Sequence, residues 1–385
     1  MKSGPIICRR RFLKSTAYLA GSIHFVNFNN YKVFAESATK YSMRAIDLIN
    51  ESLVIDMLSL LDLSKILATP KGENAYKFSR EELINIKASG IDVFHPAIGI
   101  GGNTAHIAAL NFMASLNGLV AEHSDLVVRI DSLQDIEKAQ REGKLGVVLG
   151  VQNADHFRAV EDVKQFYYIG QRITQLTYNT QNRIGSGCTD RGDGGISDFG
   201  YQIIKAMNKV GMAIDVSHCG DNTTLDAFQL SKMPVLITHS NCRALVPTNP
   251  RSKTDEVIKK MAANGGVMGI TAIRNFVTAE EPTTIENYVD HIDHIVKLVG
   301  IDHVGIGTDA DLNGYDDLPP KIYKNFKVGY KSSYSFREKM DIEGLDHPKK
   351  MFDLADALIR RGYSNENIRA ILGENFKRAL NQIWK

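Results

Sequence analysis

The chain has 385 residues, 43% of them hydrophobic and 23% charged, with 46 basic against 44 acidic side chains and a formal net charge of +2. That balance argues against a nucleic-acid partner, because such binders concentrate basic charge on one face. Four cysteines (Cys8, Cys188, Cys219, Cys242) are too few for a disulfide framework and lack zinc-knuckle spacing, and no stretch reaches the ~18 apolar residues needed to span a bilayer.

The first segment differs from the rest. "CRRRFLKS" is followed by the mildly apolar "STAYLAGSIHFVNF" and then by "KVFAES", where Val33 and Ala35 offer small-residue positions to a processing peptidase. This resembles a twin-arginine export signal, with Arg9 and Arg10 as the pair and Phe12, Leu13 and Lys14 at the matching offsets. The expectation is a signal over residues 1–36, export of the folded chain by the twin-arginine machinery, and a periplasmic mature protein. The remainder, 41–385, reads as one domain.

From residue 41 onward, short apolar runs alternate with amphipathic stretches. Strands are expected at 53–58, 90–97, 126–130, 145–151, 172–178, 212–218, 235–239, 267–272 and 303–309. Helices are expected at 79–89, 103–117, 132–142, 198–210, 221–231, 254–263 and 284–299, with Ser364 capping a final helical segment. Nearly all-apolar strands interleaved with helices predict a parallel sheet buried on both faces. Repetition of that unit across one chain predicts an α/β fold closed as a (β/α)₈ barrel of the TIM type, with C-terminal helices. The stretch 312–346 reads as a charged, irregular insertion over the barrel mouth, of the length that lids have.

In such a barrel the chemistry is carried where strands end at their C-terminal side. The polar residues there are Asp56, His95, Gln152, Tyr178, His218, His239 and Asp309. His218 in "AIDVSHCGD" and His239 in "PVLITHSNC" end successive strands, which aims two imidazoles at one place and suits a metal. His95 and His156 are additional candidate ligands, each balanced by a loop or supporting role. Cys219 and Cys242 read as buried packing residues, and His291 and His294, one turn apart on a helix, as packing or surface residues. The polar, glycine-rich loop 178–200 reads as a binding loop, with Arg183 and Arg191 available to an anion.

Over about residues 45–385 the sequence resembles the membrane dipeptidase (renal dipeptidase) family of metallopeptidases. The likeness is carried by "MNKVGMAIDVSHCGD", "PVLITHSNCRAL", "NPRSKTDE", "GGVMGI", "DHVGIGTDAD" and "ILGENFKRAL". The resemblance implies a two-zinc (β/α)₈ barrel that cleaves dipeptides, with His218 and His239 on the second zinc, Asp309 on the first and Arg251 holding the substrate carboxylate. The departures fall on the metal. Leu58 and Leu60 stand where the family has His-x-Asp, Gln152 where it has a bridging glutamate, and Tyr178 where it has a histidine thought to steady the tetrahedral intermediate. Leucine has no lone pair to give, and an amide is a far weaker zinc ligand than a carboxylate. The expectation is therefore one zinc at most.

The expected site is His218, His239 and Asp309 on the metal, Asp309 and Tyr178 in catalysis, and Arg251 and Gln152 on substrate. Its expected partners are a small peptide-like substrate and a second copy in a homodimer. Three functions stay open: a dipeptidase-like hydrolase of atypical activity, another enzyme acting on a peptide-derived metabolite, and a catalytically inactive periplasmic binding protein.

Overall fold

The computed structural model describes residues 40–68, 76–330, 334 and 336–384. The segment assigned to export lies outside them. Nine strand regions form at the nine expected runs, two of them reaching one residue beyond: β1 (Ile55–Asp56), β3 (Val93–Phe94), β4 (Val127–Arg129), β5 and β6 (Leu145–Val147, Leu149–Val151), β7 (Gln171–Gln175), β8 (Ala213–Asp215), β9 (Ile237–Ser240), β10 (Met268–Ile270) and β11 (Val304–Ile306). Two short additions, β2 (Ser59–Leu60) and β12 (Ala310–Asp311), pair above β1 and β11.

All ladders are parallel, as residues apolar on both strand faces dictate. Pairing runs β1–β3–β5, continues through β6–β7–β8, and resumes as β9–β10–β11. The amide of Leu236 bonds to Ile214 O at 2.9 Å and joins β8 to β9, while Met57 N bonds to Ile306 O at 3.0 Å and joins β1 to β11. With β5 and β6 as one broken wall, the ring closes with eight members (β1, β3, β5/β6, β7, β8, β9, β10, β11). β4 pairs with β5 as an extra strand.

The alternate residues of each strand decide what fills the barrel. Ile55, Val93, Val148, Ile173, Ala213, Leu236 and Val267 make an apolar lower layer together with Phe376, Leu380, Ile383 and Trp384. The helix Asn375–Ile383 supplies most of that second group and so floors the barrel, leaving the opposite end as the mouth. Close approach of strands needs Gly307, where a Cβ would lie 1.9 Å from Thr238 O.

Helix starts follow their caps: Ser79 forms a capping box with Glu82, and Ser197, Thr254 and Ser364 each accept an amide from their first turn. The stretch 312–346 corrects the expectation of an irregular loop. Pro320–Gly329 is a helix opened by Pro319–Pro320, where a proline costs no hydrogen bond. Among the described residues no helix is long and apolar enough to cross a membrane.

Candidate active site

At the ends of β8 and β9, Asp215 knits two loops together. Its carboxylate accepts Ser217 N at 2.9 Å, Thr238 N at 3.1 Å and Thr238 Oγ1 at 2.7 Å, as well as Ser217 Oγ. Ser217 Oγ in turn accepts the amide of His239 at 3.1 Å. Because the Thr238 hydroxyl proton goes to Asp215, its oxygen accepts from His239 Nδ1 at 2.8 Å. His218 Nδ1 donates to Asn179 Oδ1 at 2.6 Å.

Both imidazoles therefore carry their proton on Nδ1 and turn a bare Nε2 to each other, 2.9 Å apart. Two lone pairs at that distance repel unless a proton or a metal ion lies between them. Outward Nδ1–H to an oxygen acceptor is how ligating histidines are oriented. Burial first, then the Arg251 cation, holds both rings well below the usual histidine range, so they are neutral at pH 7.

The remaining candidates divide into those around this pair and those away from it. Tyr178 stacks on His218 with centroids 4.3 Å apart and planes at 19°, and its hydroxyl meets Tyr330 Oη at 2.8 Å. Asp309 has a left-handed backbone (φ 51°) and is half-buried. Burial pushes its carboxyl up to about 7, with Arg251 pulling down and Asp56 adding to the rise. Gln152 donates its Nε2 to Ala97 O at 2.6 Å.

Asp56 acts as a clamp at the strand end. Its buried carboxylate accepts Thr308 N, Thr308 Oγ1 and Leu58 N. Leu58 is 1% exposed, and Leu60 (8%) packs with Ile273, Phe276, Tyr315 and Leu318. The strand end that opens the barrel is thus a wall of apolar side chains.

Arg251 lies behind the histidine pair. It is 1% exposed, and its Nη atoms are spent on His239 O at 2.7 Å, Ser240 Oγ at 3.2 Å and Ser217 O, which ties the two histidine-bearing strand ends from behind. Only its Nε–H lacks a partner among the described residues.

His156 is a correction. Nδ1 meets Asn153 O at 2.8 Å and Nε2 meets Gln171 Oε1 at 3.2 Å, with the ring packed on Phe157 and Phe166, so both ring nitrogens lie against protein groups and neither is open to a metal. His95 spends Nδ1 on Met57 O at 2.7 Å, and among the described residues no three His, Cys, Asp or Glu side chains gather as a metal-binding group. Neither His95 nor Asp309 therefore joins the His218–His239 pair in such a group.

His291 is a buried packing residue, accepting Cys242 N and donating to Val277 O. In the loop 178–200, Arg183 lies over the Phe199 ring, 4.0 Å from its centroid, and bonds to Arg158 O.

Three residues that sequence reasoning missed complete the surroundings. Asn179 orients His218 and is, with Asp309, one of two non-glycine residues with positive φ among those described. Tyr334 donates to Asn179 Oδ1 and lies 3.1 Å from His218 Nδ1, and Tyr330 stacks on Tyr334 at 10°. An asparagine in a left-handed turn after a strand carries a weak signal, whereas the tyrosines arrive from an insertion with no readable spacing.

A barrel with two histidines facing each other at its mouth is an arrangement that suits a metal-dependent hydrolase, and comparison with known proteins gives the family. Residues 77–321 match the model of the membrane dipeptidase family, peptidase family M19, and the chain belongs to that family. A solved protein of that family, the dipeptidase AC, is described as a metallopeptidase. Dipeptidase verJ of Clonostachys rogersoniana is 30% identical over 271 residues, covering 70% of this chain and 63% of that one. The chain spans about three fifths of the length of the curated relatives it matches.

Among solved structures, an amidohydrolase from Pseudomonas aeruginosa is 31% identical with a TM-score of 0.76, covering 89% of this chain and 99% of that one. The probable dipeptidase PvdM from the same organism shares the fold at 20% identity and a TM-score of 0.72, with 92% and 99% covered.

Proposed function

We propose that the protein is a dipeptidase-like hydrolase acting on dipeptides or a related small amide, with a reduced metal complement of at most one zinc held by His218 and His239. The observation that carries this reading is the pair of bare Nε2 atoms facing each other at 2.9 Å, each fixed by an outward Nδ1 donor. A reduced complement is supported by the donor set, in which Leu58 and Leu60 offer no lone pair and Gln152 offers an amide. A bound zinc would supply Lewis acidity toward a carbonyl and toward water.

The chain's own residues supply the rest. Asp309, with its carboxyl near 7, can hold or release a proton at neutral pH at the end of β11. Tyr178 flanks His218 and presents a hydroxyl to the mouth. Arg251 adds positive charge behind the histidines and keeps one N–H for a substrate carboxylate.

Export by the twin-arginine route to the periplasm belongs to the same reading and rests on Arg9–Arg10 with Phe12, Leu13 and Lys14. A second reading, a pocket that binds a peptide-derived molecule without hydrolysing it, is favoured by the buried apolar wall of Leu58 and Leu60.

Metal analysis of the purified chain, together with a dipeptide hydrolysis screen with and without added zinc, separates the two. Turnover that is lost in His218→Ala and His239→Ala supports the hydrolase. Tight dipeptide binding with no turnover at any zinc level overturns it in favour of the binding protein.

A further inference from the structure

Each histidine of the pair is held by an acceptor, and each acceptor is itself held by a third group. For His239 the acceptor is Thr238 Oγ1 at 2.8 Å, and the Asp215 carboxylate takes the hydroxyl proton at 2.7 Å, so the oxygen offers the ring only lone pairs. That whole chain of contacts belongs to the barrel, since Asp215 ends β8 and Thr238 lies within β9. For His218 the acceptor is Asn179 Oδ1 at 2.6 Å. The third group here comes from outside the barrel strands: the Tyr334 hydroxyl donates to the same oxygen at 2.5 Å.

An asparagine needs such a partner, because its amide has an acceptor on one arm and a donor on the other in nearly the same shape. Turned over, it would donate to His218 Nδ1 and drive the ring proton round to Nε2. That hydrogen would then fill the 2.9 Å gap between the two rings, where a metal ion belongs. Tyr334 weighs against the turn. Its Oη lies 3.1 Å from His218 Nδ1, so three polar groups meet at one point. With Oδ1 facing them, the ring proton and the phenol proton each find one of its two lone pairs. With the amide turned, the single lone pair of Nδ1 is taken by the amide N–H, and the phenol proton has no acceptor among the three.

The place of the Tyr334 hydroxyl is set by packing away from the pair. Its ring stacks on Tyr330 with centroids 5.5 Å apart and meets Phe276 edge-on at 5.0 Å. Three residues on, Arg337 donates to Arg274 O at 3.0 Å, Thr278 O at 2.8 Å and Thr283 Oγ1 at 3.1 Å, and pairs with Glu281 at 2.8 Å. These bonds seat the insertion on the segment that follows β10.

We propose that Tyr334 is a positioning residue for His218: it holds the Asn179 amide with its oxygen toward the ring, keeps Nε2 bare for a metal ion, and so makes metal affinity depend on the insertion that carries the tyrosine. This rests on the metal-binding reading above and adds the residue outside the barrel strands on which the ligand's tautomer depends.

The test reads the tautomer directly. The purified chain, carrying isotope-labelled histidine and kept in chelator-containing buffer, is measured by proton–nitrogen correlation spectra of its imidazoles, with the signals of the pair assigned from those missing in His218→Ala and His239→Ala. In Tyr334→Phe, which keeps the ring and its stacking, the His218 signals are expected to move toward the Nε2–H form while those of His239 stay. Zinc affinity in a chelator competition is expected to fall about 3–10-fold, the worth of one hydrogen bond. Tyr323→Phe removes a hydroxyl of the same insertion that bonds to Asp316 Oδ1 at 2.8 Å and Glu338 O at 2.5 Å, and it should change neither reading.

Unmoved His218 signals in Tyr334→Phe, or an equal shift in Tyr323→Phe, overturns the assignment. A tautomer shift in Tyr334→Phe of a chain that binds no zinc upholds the positioning role while the metal reading falls. Zinc held equally tightly by wild type and Tyr334→Phe does the reverse.

Discussion

The carbonyl of Leu58 accepts the amide of Asp309 at 2.7 Å, so the residue that lacks a ligating side chain is tied through its backbone to the acid that ends strand β11. Asp56 lies beneath both, bonded to Leu58 N and Thr308 N. The ends of β1 and β11 are thus held together through their backbones by these bonds.

That frame makes a restoration experiment meaningful. Leu58→His, Leu60→Asp and Gln152→Glu together should raise the zinc retained per chain after dialysis, measured by elemental analysis. The new polar groups enter an apolar wall, so a stability loss of about 2–4 kcal/mol is expected without metal, measured by urea denaturation. No gain in zinc would mean that the strand end is not what limits metal binding.

Asn179→Ala removes the acceptor that holds the His218 proton on Nδ1. Zinc affinity should drop about 10–100-fold in a chelator competition, the usual effect of losing a residue that orients a ligand. His218→Ala should abolish binding. An Asn179→Ala protein with unaltered affinity would refute the tautomer assignment.

Two buried histidines set a pH dependence. Burial lowers both His156 and His291 to about 4, below the ~6.5 of a solvated ring. Between those values the unfolded chain binds more protons than the folded one, so this contribution to stability is full above pH ~6.5 and is lost as pH falls toward 4.

Asp56 and Asp341, pushed up to about 6 by burial, act in the opposite sense, favouring the folded state at low pH and losing that contribution as pH rises through 6. The informative quantity is thus the difference between variant and wild type. His156→Gln should be less acid-sensitive than wild type by an amount on the order of 3 kcal/mol between pH 7 and pH 4. Parallel pH profiles for the two proteins would show that the ring is not held neutral.

Gly307→Ala places a methyl 1.9 Å from Thr238 O between two walls of the barrel. A loss of more than about 3 kcal/mol is expected, since neither backbone can yield. Gly192→Ala, with nothing within 4 Å of its added Cβ, should change little. Thermal melts of the two variants that coincide would contradict the close packing of β9 and β11.

Replacing Arg9 and Arg10 by lysine should hold the precursor in the cytoplasm, read by cell fractionation. Normal export of that variant would remove the twin-arginine assignment.

Most strands were readable because they are short runs of β-branched and aliphatic residues, β7 with its sequence QRITQ being the exception, and their histidine endings were readable because β8 and β9 adjoin in sequence as in space. Arg251 was visible as a motif residue, but the destination of its Nη groups depends on backbone carbonyls, which leave no trace in a sequence. His156 looked like a ligand because it follows a strand; its partners, Gln171 and Phe166, come from the next βα unit. Tyr330 and Tyr334 reach the site from an insertion whose helix, Pro320–Gly329, has no apolar stripe marked by buried residues.

The helix Asn375–Ile383 floors the barrel, and its Phe376 shares an apolar layer with Ile55 of the first strand across most of the chain's length. Such a contact forms late, because loop-closure entropy opposes it until the intervening strands are in place. Among the described residues this helix closes the lower end, so a ligand bound for the histidines approaches from the other end, where Tyr330 and Tyr334 stand.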